Sequence, residues 1–360
     1  MSSIWGKRLK ISLFGESHGP TIGVVLDGFP AGVKIDEEYI MSQMIRRAPG
    51  GDSYSTKRNE TDVPQIQSGV FNGFSTGAPI CAIIQNSDTH SKDYAELANK
   101  PRPGHADYTG KIRFNGFNDY RGGGHFSGRL TAPMVFAGAL CKLALRDKGV
   151  TIGAHILQIG SVKDDDFLET ENLKINAFSL EKLAASRFST LNADKGEEMQ
   201  TLIRETVQKK DSIGGIIQCA AIGMVAGVGN PIFDSIEGNI ASFMFGIPAV
   251  KGVEFGVGFK VAEMLGSQNN DAFHIENGQV VTHTNNSGGV LGGICSGMPI
   301  VFNVAFKPTP SIYLPQKTVN LETLEATEIE IKGRHDPCIV PRAVPVVEAG
   351  CAVVLLDLLI

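Results

Sequence analysis

The chain has 360 residues, room for two or three ordinary domains or one large sandwich or barrel, with 42% apolar residues, 20% charged residues and a formal net charge of -5. That balance excludes a global basic field able to recruit nucleic acid, so any anion-binding arginine has to act locally. Six cysteines (Cys81, Cys141, Cys219, Cys295, Cys338 and Cys351) form no CxxC pair and sit mostly among apolar or small residues, a pattern that fits a reducing cytoplasm and not zinc.

In chain order, residues 1–7 lack the basic-then-apolar layout of a signal peptide. Residues 9–14 alternate as a strand and open onto Gly15-Glu16-Ser17-His18-Gly19 before a second strand over 22–26, which puts His18 on a connecting loop. Asp36 can cap a helix running to Arg47, with Ile40, Met41, Met44 and Ile45 on one face. It delivers Arg46 and Arg47 at its end, where cations also simply suit the helix dipole. A Gly- and Ser-rich loop over 50–57 leads to strands over 65–71 and 80–85. The stretch 101–129 follows, and two runs within it gather two histidines and three arginines among glycines and prolines: Pro101-Arg102-Pro103-Gly104-His105-Ala106-Asp107, then Asp119-Tyr120-Arg121-Gly122-Gly123-Gly124-His125-Phe126-Ser127-Gly128-Arg129. Loops of this kind on a rigid scaffold are where chemistry is usually carried, and an Arg/Gly loop feeding a helix can hold phosphate.

Thr131 can cap a helix with Pro133 in its first turn and Gly149 beyond its end, apolar nearly all round and therefore central. A strand over 150–160 gives way to an acidic surface excursion over 163–195. An amphipathic helix through Met199, Leu202, Ile203, Thr206 and Val207 comes next, then a strand over 216–225, a helix near 236–245 and a strand over 250–257. Near the end, Lys307-Pro308-Thr309-Pro310-Ser311 is a polar turn after a strand, residues 329–332 are a strand, and Gly333-Arg334-His335-Asp336-Pro337-Cys338 precedes a C-terminal helix from about Pro345. The apolar runs 132–145 and 343–360 are interrupted by Lys142, Glu348 and Asp357 and fall short of the roughly 20 clean residues of a membrane span. Both are expected to be core helices.

An internal match bears on the architecture. Residues 69–80 (GVFNGFSTGAPI) align without gaps on 289–300 (GVLGGICSGMPI), each copy a strand, a turn and a strand. Chance similarity is the alternative in a chain with 42 glycines. Duplication predicts two related halves, roughly 1–150 and 200–360 of a single domain, with antiparallel hairpins packed on central helices.

Four histidines, His18, His105, His125 and His335, lie in Gly/Pro/Ser/Asp loops at strand ends, whereas His155, His274 and His283 have ordinary strand or surface settings. A proton donor and cationic clamps are what expulsion of phosphate requires, and histidine changes charge near neutral pH. Arg46, Arg47, Arg102, Arg121, Arg129 and Arg334 suit an acidic small molecule. No HExxH, DxD or Cys/His cluster offers a metal site, and neither dinucleotide nor P-loop glycine spacing is present.

Together, Gly15-Glu16-Ser17-His18-Gly19, Arg102-Pro103-Gly104-His105-Ala106-Asp107, Asp119 to Gly124, Lys307-Pro308-Thr309 and Gly333 to Pro337 resemble the chorismate synthase family over nearly the full length. The resemblance implies an α+β sandwich of central helices between antiparallel β-sheets with an internally duplicated half, usually a homotetramer. It implies anti-1,4-elimination of phosphate from 5-enolpyruvylshikimate 3-phosphate to give chorismate, with reduced FMN required although no net redox change occurs. Carried onto this chain, His18 would protonate the departing phosphate, His105 would stabilise the reduced flavin ring, and Asp336 would help flavin N5 take the substrate's C6 proton. Flavin contacts would come from His125, Phe126, Ser127, Pro248, Ala249, Gly292, Lys307, Pro308, Thr309, Pro310, Ser311 and Arg334. Arg129 would bind the anionic substrate, and Arg47 either the substrate or NADPH; from their own setting Arg46 and Arg102 are expected to be substrate contacts as well. Three departures stand out: His125-Phe126-Ser127 where the family commonly has Arg-Ser-Ser, Ser53 where many members have arginine, and Pro310, which has no backbone N–H to donate. The alternatives are another FMN-dependent phosphate lyase on the same scaffold and a flavin-binding protein without activity.

Overall fold

The computed structural model describes residues 3–50, 61–87, 98–169, 175–331 and 336–360. Ser53, His90, Gly333, Arg334 and His335 lie outside them. The chain begins with β1 (Ile4–Trp5), β2 (Lys10–Gly15), β3 (Thr21–Asp27), α1 (Glu37–Arg47), β4 (Gln65–Ser68), a small hairpin β5 (Val70–Phe71) and β6 (Phe74–Ser75), β7 (Ile80–Gln85), α2 (Asp107–Arg113) and α3 (Thr131–Arg146). It continues with β8 (Thr151–Ile159), β9 (Val162–Lys163), α4 (Ala177–Ala185), α5 (Ala193–Gln208), β10 (Gly215–Ile222), α6 (Ile236–Phe245), β11 (Val250–Phe255) and α7 (Gly266–Asn269). The last part holds the hairpin β12 (Phe273–Glu276) and β13 (Gln279–Thr282), the small hairpin β14 (Val290–Leu291) and β15 (Ile294–Cys295), β16 (Ile300–Phe306), the hairpin β17 (Gln316–Asn320) and β18 (Glu325–Ile329), and α8 (Val340–Leu359).

Two five-stranded antiparallel sheets, ordered β1-β2-β3-β7-β4 and β11-β16-β10-β8-β9, enclose a layer of helices. In the first sheet, Ile22, Val24 and Leu26 pair with Ile84, Ala82 and Ile80 in one register, and all six side chains point into the core. Burial of such side chains stabilises by about 1.5–3 kcal/mol each for the larger ones, and a one-residue slip would turn all of them to the other face. Helix α3 packs on this sheet, α8 packs on β8 and β10 of the other, and α3 and α8 pack on each other. Gly138 of α3 packs directly on Ala349 of α8: a Cβ there would fall 2.2 Å from the Ala349 Cβ, so only glycine fits. The span Gly128–Arg146 is long and apolar enough to cross a membrane, and it is this core helix, largely buried.

The two matching segments share one conformation. Val70 pairs with Ser75 as Val290 does with Cys295, and the N–H groups of Thr76 and Ser296 donate to the carbonyls of Gly69 and Gly289 at 3.0 and 2.9 Å. Gly69, Asn72, Gly73 and Gly77 have positive φ, as do their counterparts Gly289, Gly292, Gly293 and Gly297. Each hairpin leads into a long strand, β7 or β16, that pairs with β3 or β10.

Several boundaries differ from the sequence reading. The strand expected over 65–71 is broken at Gly69, whose φ of +83° ends β4 and starts the hairpin. Thr131 is the first residue of α3 and not its cap, its hydroxyl donating to the Gly128 carbonyl at 2.6 Å. Helix α8 begins at Val340, ahead of Pro345, whose missing N–H costs a single bond near the helix start. The described residues of 163–195 form a cover and not an excursion. Leu180 and Leu183 of α4, with Phe167, bury against Ala220 and Val301 on the outer face of the second sheet. Buried Asp164 beneath them accepts from Leu191 and Asn192 and lies 3.0 Å from fully buried His155.

Candidate functional site

At the end of the helix layer where α3 and α8 begin, a cavity of about 1290 Å³ opens, bounded by the ends of β2 and α1, by residues 102–106 and 122–131, by α6, by the loop between α6 and β11 with the start of β11, and by the loop after β16. Among the described residues its wall carries six cations, Arg47, Arg102, Arg129, Lys251, Lys307 and Arg342, against three carboxylates, Glu16, Asp119 and Asp336. A chain of net charge -5 has thus gathered positive charge at one place.

Two buried carboxylates brace the guanidiniums from behind. Asp62 accepts from Arg47 Nη1 at 2.6 Å and forms an ion pair with Arg129. Arg47 also donates to Thr131 Oγ1 and the Gly128 carbonyl, both at 3.1 Å, and Arg129 donates to Asn86 Oδ1 at 3.0 Å and the Gln85 carbonyl at 3.3 Å. Burial works to raise the Asp62 carboxyl, but Arg47 and Arg129 outweigh it and hold it below the usual carboxylate range. Asp107, at the start of α2, plays the same part for Arg102, accepting from Nε and Nη2 at 2.7 Å each. Its Oδ1 lies 2.6 Å from His105 Nδ1. Burial again pushes the carboxyl up, and the hydrogen bonds from Arg102 and His105 prevail and bring it well down. Ser311 accepts from Arg102 Nη1 at 3.2 Å, which ties the loop after β16 to the same cluster.

The triple glycine has a steric reason. A Cβ on Gly122 would fall 2.2 Å from His18 Cε1, and one on Gly123 would fall 3.0 Å from His105 Cε1. Both have positive φ, and so does Gly124, so this run packs backbone against two imidazoles in succession. Read from sequence as part of a phosphate loop, it is a thin partition between the histidines. His105 lines the cavity, whereas His18 is buried behind Gly122, its Nδ1 3.1 Å from Ser17 Oγ.

Phe126, Ser127, Pro248, Ala249, Lys307, Thr309, Pro310, Ser311, His125 and Asp336 all line the cavity. His125 Nδ1 donates to the Gly15 carbonyl at 2.8 Å, and its Nε2 lies 2.9 Å from Ser3 Oγ. Lys307 hydrogen-bonds the Gly104 carbonyl, and burial, with Lys251 nearby, pushes its amine down from the usual lysine range. Pro308 and Gly292 are not on the wall. Gly292 occupies the β14–β15 turn, where its positive φ explains the glycine without a ligand.

Arg46 is a correction. Its Nη1 and Nη2 donate to the Glu348 carboxylate at 2.7 and 2.9 Å inside the core, and Lys142 pairs with the same group. The Ala154 N–H adds a bond at 3.1 Å. Burial pushes the Glu348 carboxyl up, yet Arg46 and Lys142 overcome it and bring it down to about 2. Neither a solvated helix end nor a substrate contact describes this arginine. Missed from sequence were Asp62, on which Arg47 and Arg129 converge, and Arg342, which forms an ion pair with Asp336. The only sequence signal for Arg342 was its place six residues after Asp336, at the mouth of an apolar helix.

A profile of the chorismate synthase family matches residues 9–360. The chain is 49% identical to the chorismate synthase of Thermococcus gammatolerans over 98% of its own length and 96% of that protein. It is 46% identical to a chorismate synthase of Dehalococcoides mccartyi, over 99% and 96%. A solved chorismate synthase crystal structure aligns with a TM-score of 0.75 at 32% identity, covering 99% of this chain and 92% of that one.

Proposed function

The chain belongs to the chorismate synthase family, carbon–oxygen lyases of the shikimate pathway, and from that premise we propose that its cavity carries out the anti-1,4-elimination of phosphate from 5-enolpyruvylshikimate 3-phosphate. The observation that carries this assignment is the cation-rich wall around His105 in an acidic chain. The substrate bears a phosphate and a pair of carboxylates, and arginine binds such groups in bidentate fashion while always charged. Buried carboxylates behind Arg47, Arg102 and Arg129 fix the guanidiniums before substrate arrives, which lowers the ordering cost of binding. We assign Arg129, Arg102 and Arg47 to the substrate's anions, with NADPH a second partner for Arg47.

The family implies a reduced flavin, and the wall fits one. Phe126, Ile247, Pro248 and Ala249 offer apolar surface for a flat ring, and Lys251, Lys307 and Ser311 offer cations and a hydroxyl for an anionic tail. Residues that would hold FMN are His125, Phe126, Ser127, Pro248, Ala249, Lys307, Thr309, Pro310 and Ser311. When bound, the reduced flavin supplies electron density and a proton-accepting ring nitrogen to an elimination without net redox change. His105, oriented by Asp107 and Arg102, presents a polar ring edge to that group. His18 holds the proton for the departing phosphate from behind Gly122, and Asp336 holds a carboxylate that moves the substrate's proton onward. We extend the same reading to a cytoplasmic homotetramer whose protomer is a single domain of two related halves.

The test is anaerobic turnover of purified protein with photoreduced FMN and enolpyruvylshikimate phosphate. Phosphate and chorismate absorbance should rise together. Flavin binding without phosphate release would instead indicate another flavin-dependent lyase, and omission of photoreduction in favour of NADPH reports whether the chain reduces its own flavin.

A further inference from the structure

Arg342, the third residue of α8, joins three parts of the cavity wall. It forms an ion pair with the Asp336 carboxylate, and its Nε donates to the backbone carbonyl of Arg47 at 3.0 Å. Both partners of the ion pair are mostly buried, with side chains 18% and 12% exposed, so solvent competes weakly for it. The main chain around Asp336 has supports of its own. Thr309 Oγ1 donates to the Asp336 carbonyl at 2.6 Å, and Ile213 N–H donates to the Pro337 carbonyl at 2.8 Å. What the guanidinium adds is the direction of the carboxylate, and through Arg47 its register against the end of α1.

We propose that Arg342 is a positioning residue for Asp336, aiming its carboxylate into the cavity and coupling that aim to the α1 wall that carries Arg47. The proposal rests on the reading that Asp336 serves the elimination. It differs from a structural staple between α1 and α8 in one respect: its effect on turnover runs through Asp336. Displacement of a reacting group by about 1 Å can cost on the order of 100-fold in rate, and groups acting as one unit are non-additive when removed together.

The experiment compares Arg342→Met, Arg342→Lys, Asp336→Asn and the Arg342→Met/Asp336→Asn double variant by steady-state kinetics and by thermal unfolding of the ligand-free protein. Arg342→Met should lower kcat by roughly 10- to 100-fold with KM within about threefold of wild type. Arg342→Lys should recover part of that loss. The double variant should be no slower than the slower single variant, and its unfolding midpoint should fall by less than the two single shifts combined. If Asp336→Asn turns over at the wild-type rate, the reading of Asp336 fails and the proposal fails with it. If Asp336→Asn is slow while Arg342→Met keeps wild-type kcat, the proposal alone is overturned. Multiplicative losses in the double variant, or a lysine variant no better than methionine, would make Arg342 a structural staple and overturn it as well.

Discussion

Arg46 and Arg47 are neighbours at the end of α1, and the structure sends them to opposite destinations. Arg46 turns inward to Glu348 and shares it with Lys142, on a carboxylate with no solvent exposure. Arg47 turns to the cavity and is held there by Asp62, the Thr131 hydroxyl and the Gly128 carbonyl. Adjacent helical positions point about 100° apart, so one can serve the fold and the next the site. The first region is a closed set of charges that has spent its hydrogen bonds on itself. The second is braced from behind and presents guanidinium edges to a cavity. A charge in the closed set should show in stability, and a charge in the open set in kinetics.

The largest effect expected is at Glu348. Glu348→Gln leaves the Arg46 and Lys142 cations buried without a countercharge, and breaking a buried pair in this way typically costs about 3–5 kcal/mol. Urea unfolding should show that loss, while the folded fraction keeps its KM. Acid probes the same region. The folded Glu348 carboxyl lies at about 2 against an ordinary 4.5, so its contribution is complete above pH 4.5 and is lost as pH falls toward 2. Unfolding titrations across that window should lose about 3 kcal/mol, as an order of magnitude. Asp62 and Asp107 are depressed too and contribute with the same sign. Next in size is Arg47→Met, which removes a charged hydrogen-bonding group worth about 1.5–3 kcal/mol and should raise KM by roughly 10- to 100-fold. Arg46→Met should do the reverse, lowering the unfolding midpoint and leaving KM alone. The smallest effect is at Phe126, about a third exposed: Phe126→Ser should weaken flavin binding by no more than about tenfold, in line with partial apolar burial.

Much of this contrast could not be read in one dimension. Helix α1, the two core helices and the paired hairpins were legible because each has a local cause: an Asp36 cap, apolar residues all round, or glycines at positive φ in matching places. His105 and its loop were legible as well, since Gly, Pro and His cluster there. The direction of Arg46 was not, because its partner lies 302 residues away on α8. Asp62 gave no warning either, sitting beside a Gly- and Ser-rich loop with nothing local to mark it as a hub for two arginines. Residues 163–195 read as surface from their polarity. Phe167, Leu180 and Leu183 among them are buried over the second sheet, with Leu168, Ile175 and Leu191 packed beside them. Gly292 was carried over by resemblance, whereas its φ shows what the hairpin itself needs.

The central claim is that the cation-rich wall around His105 performs the elimination. The most direct measurement is single-turnover phosphate release, under anaerobic conditions with photoreduced FMN, by wild type and by His105→Ala. The account predicts phosphate and chorismate formed together by wild type, and release at least roughly tenfold slower in His105→Ala, with flavin still bound and the unfolding midpoint within a few degrees. Equal rates in the two proteins would contradict it.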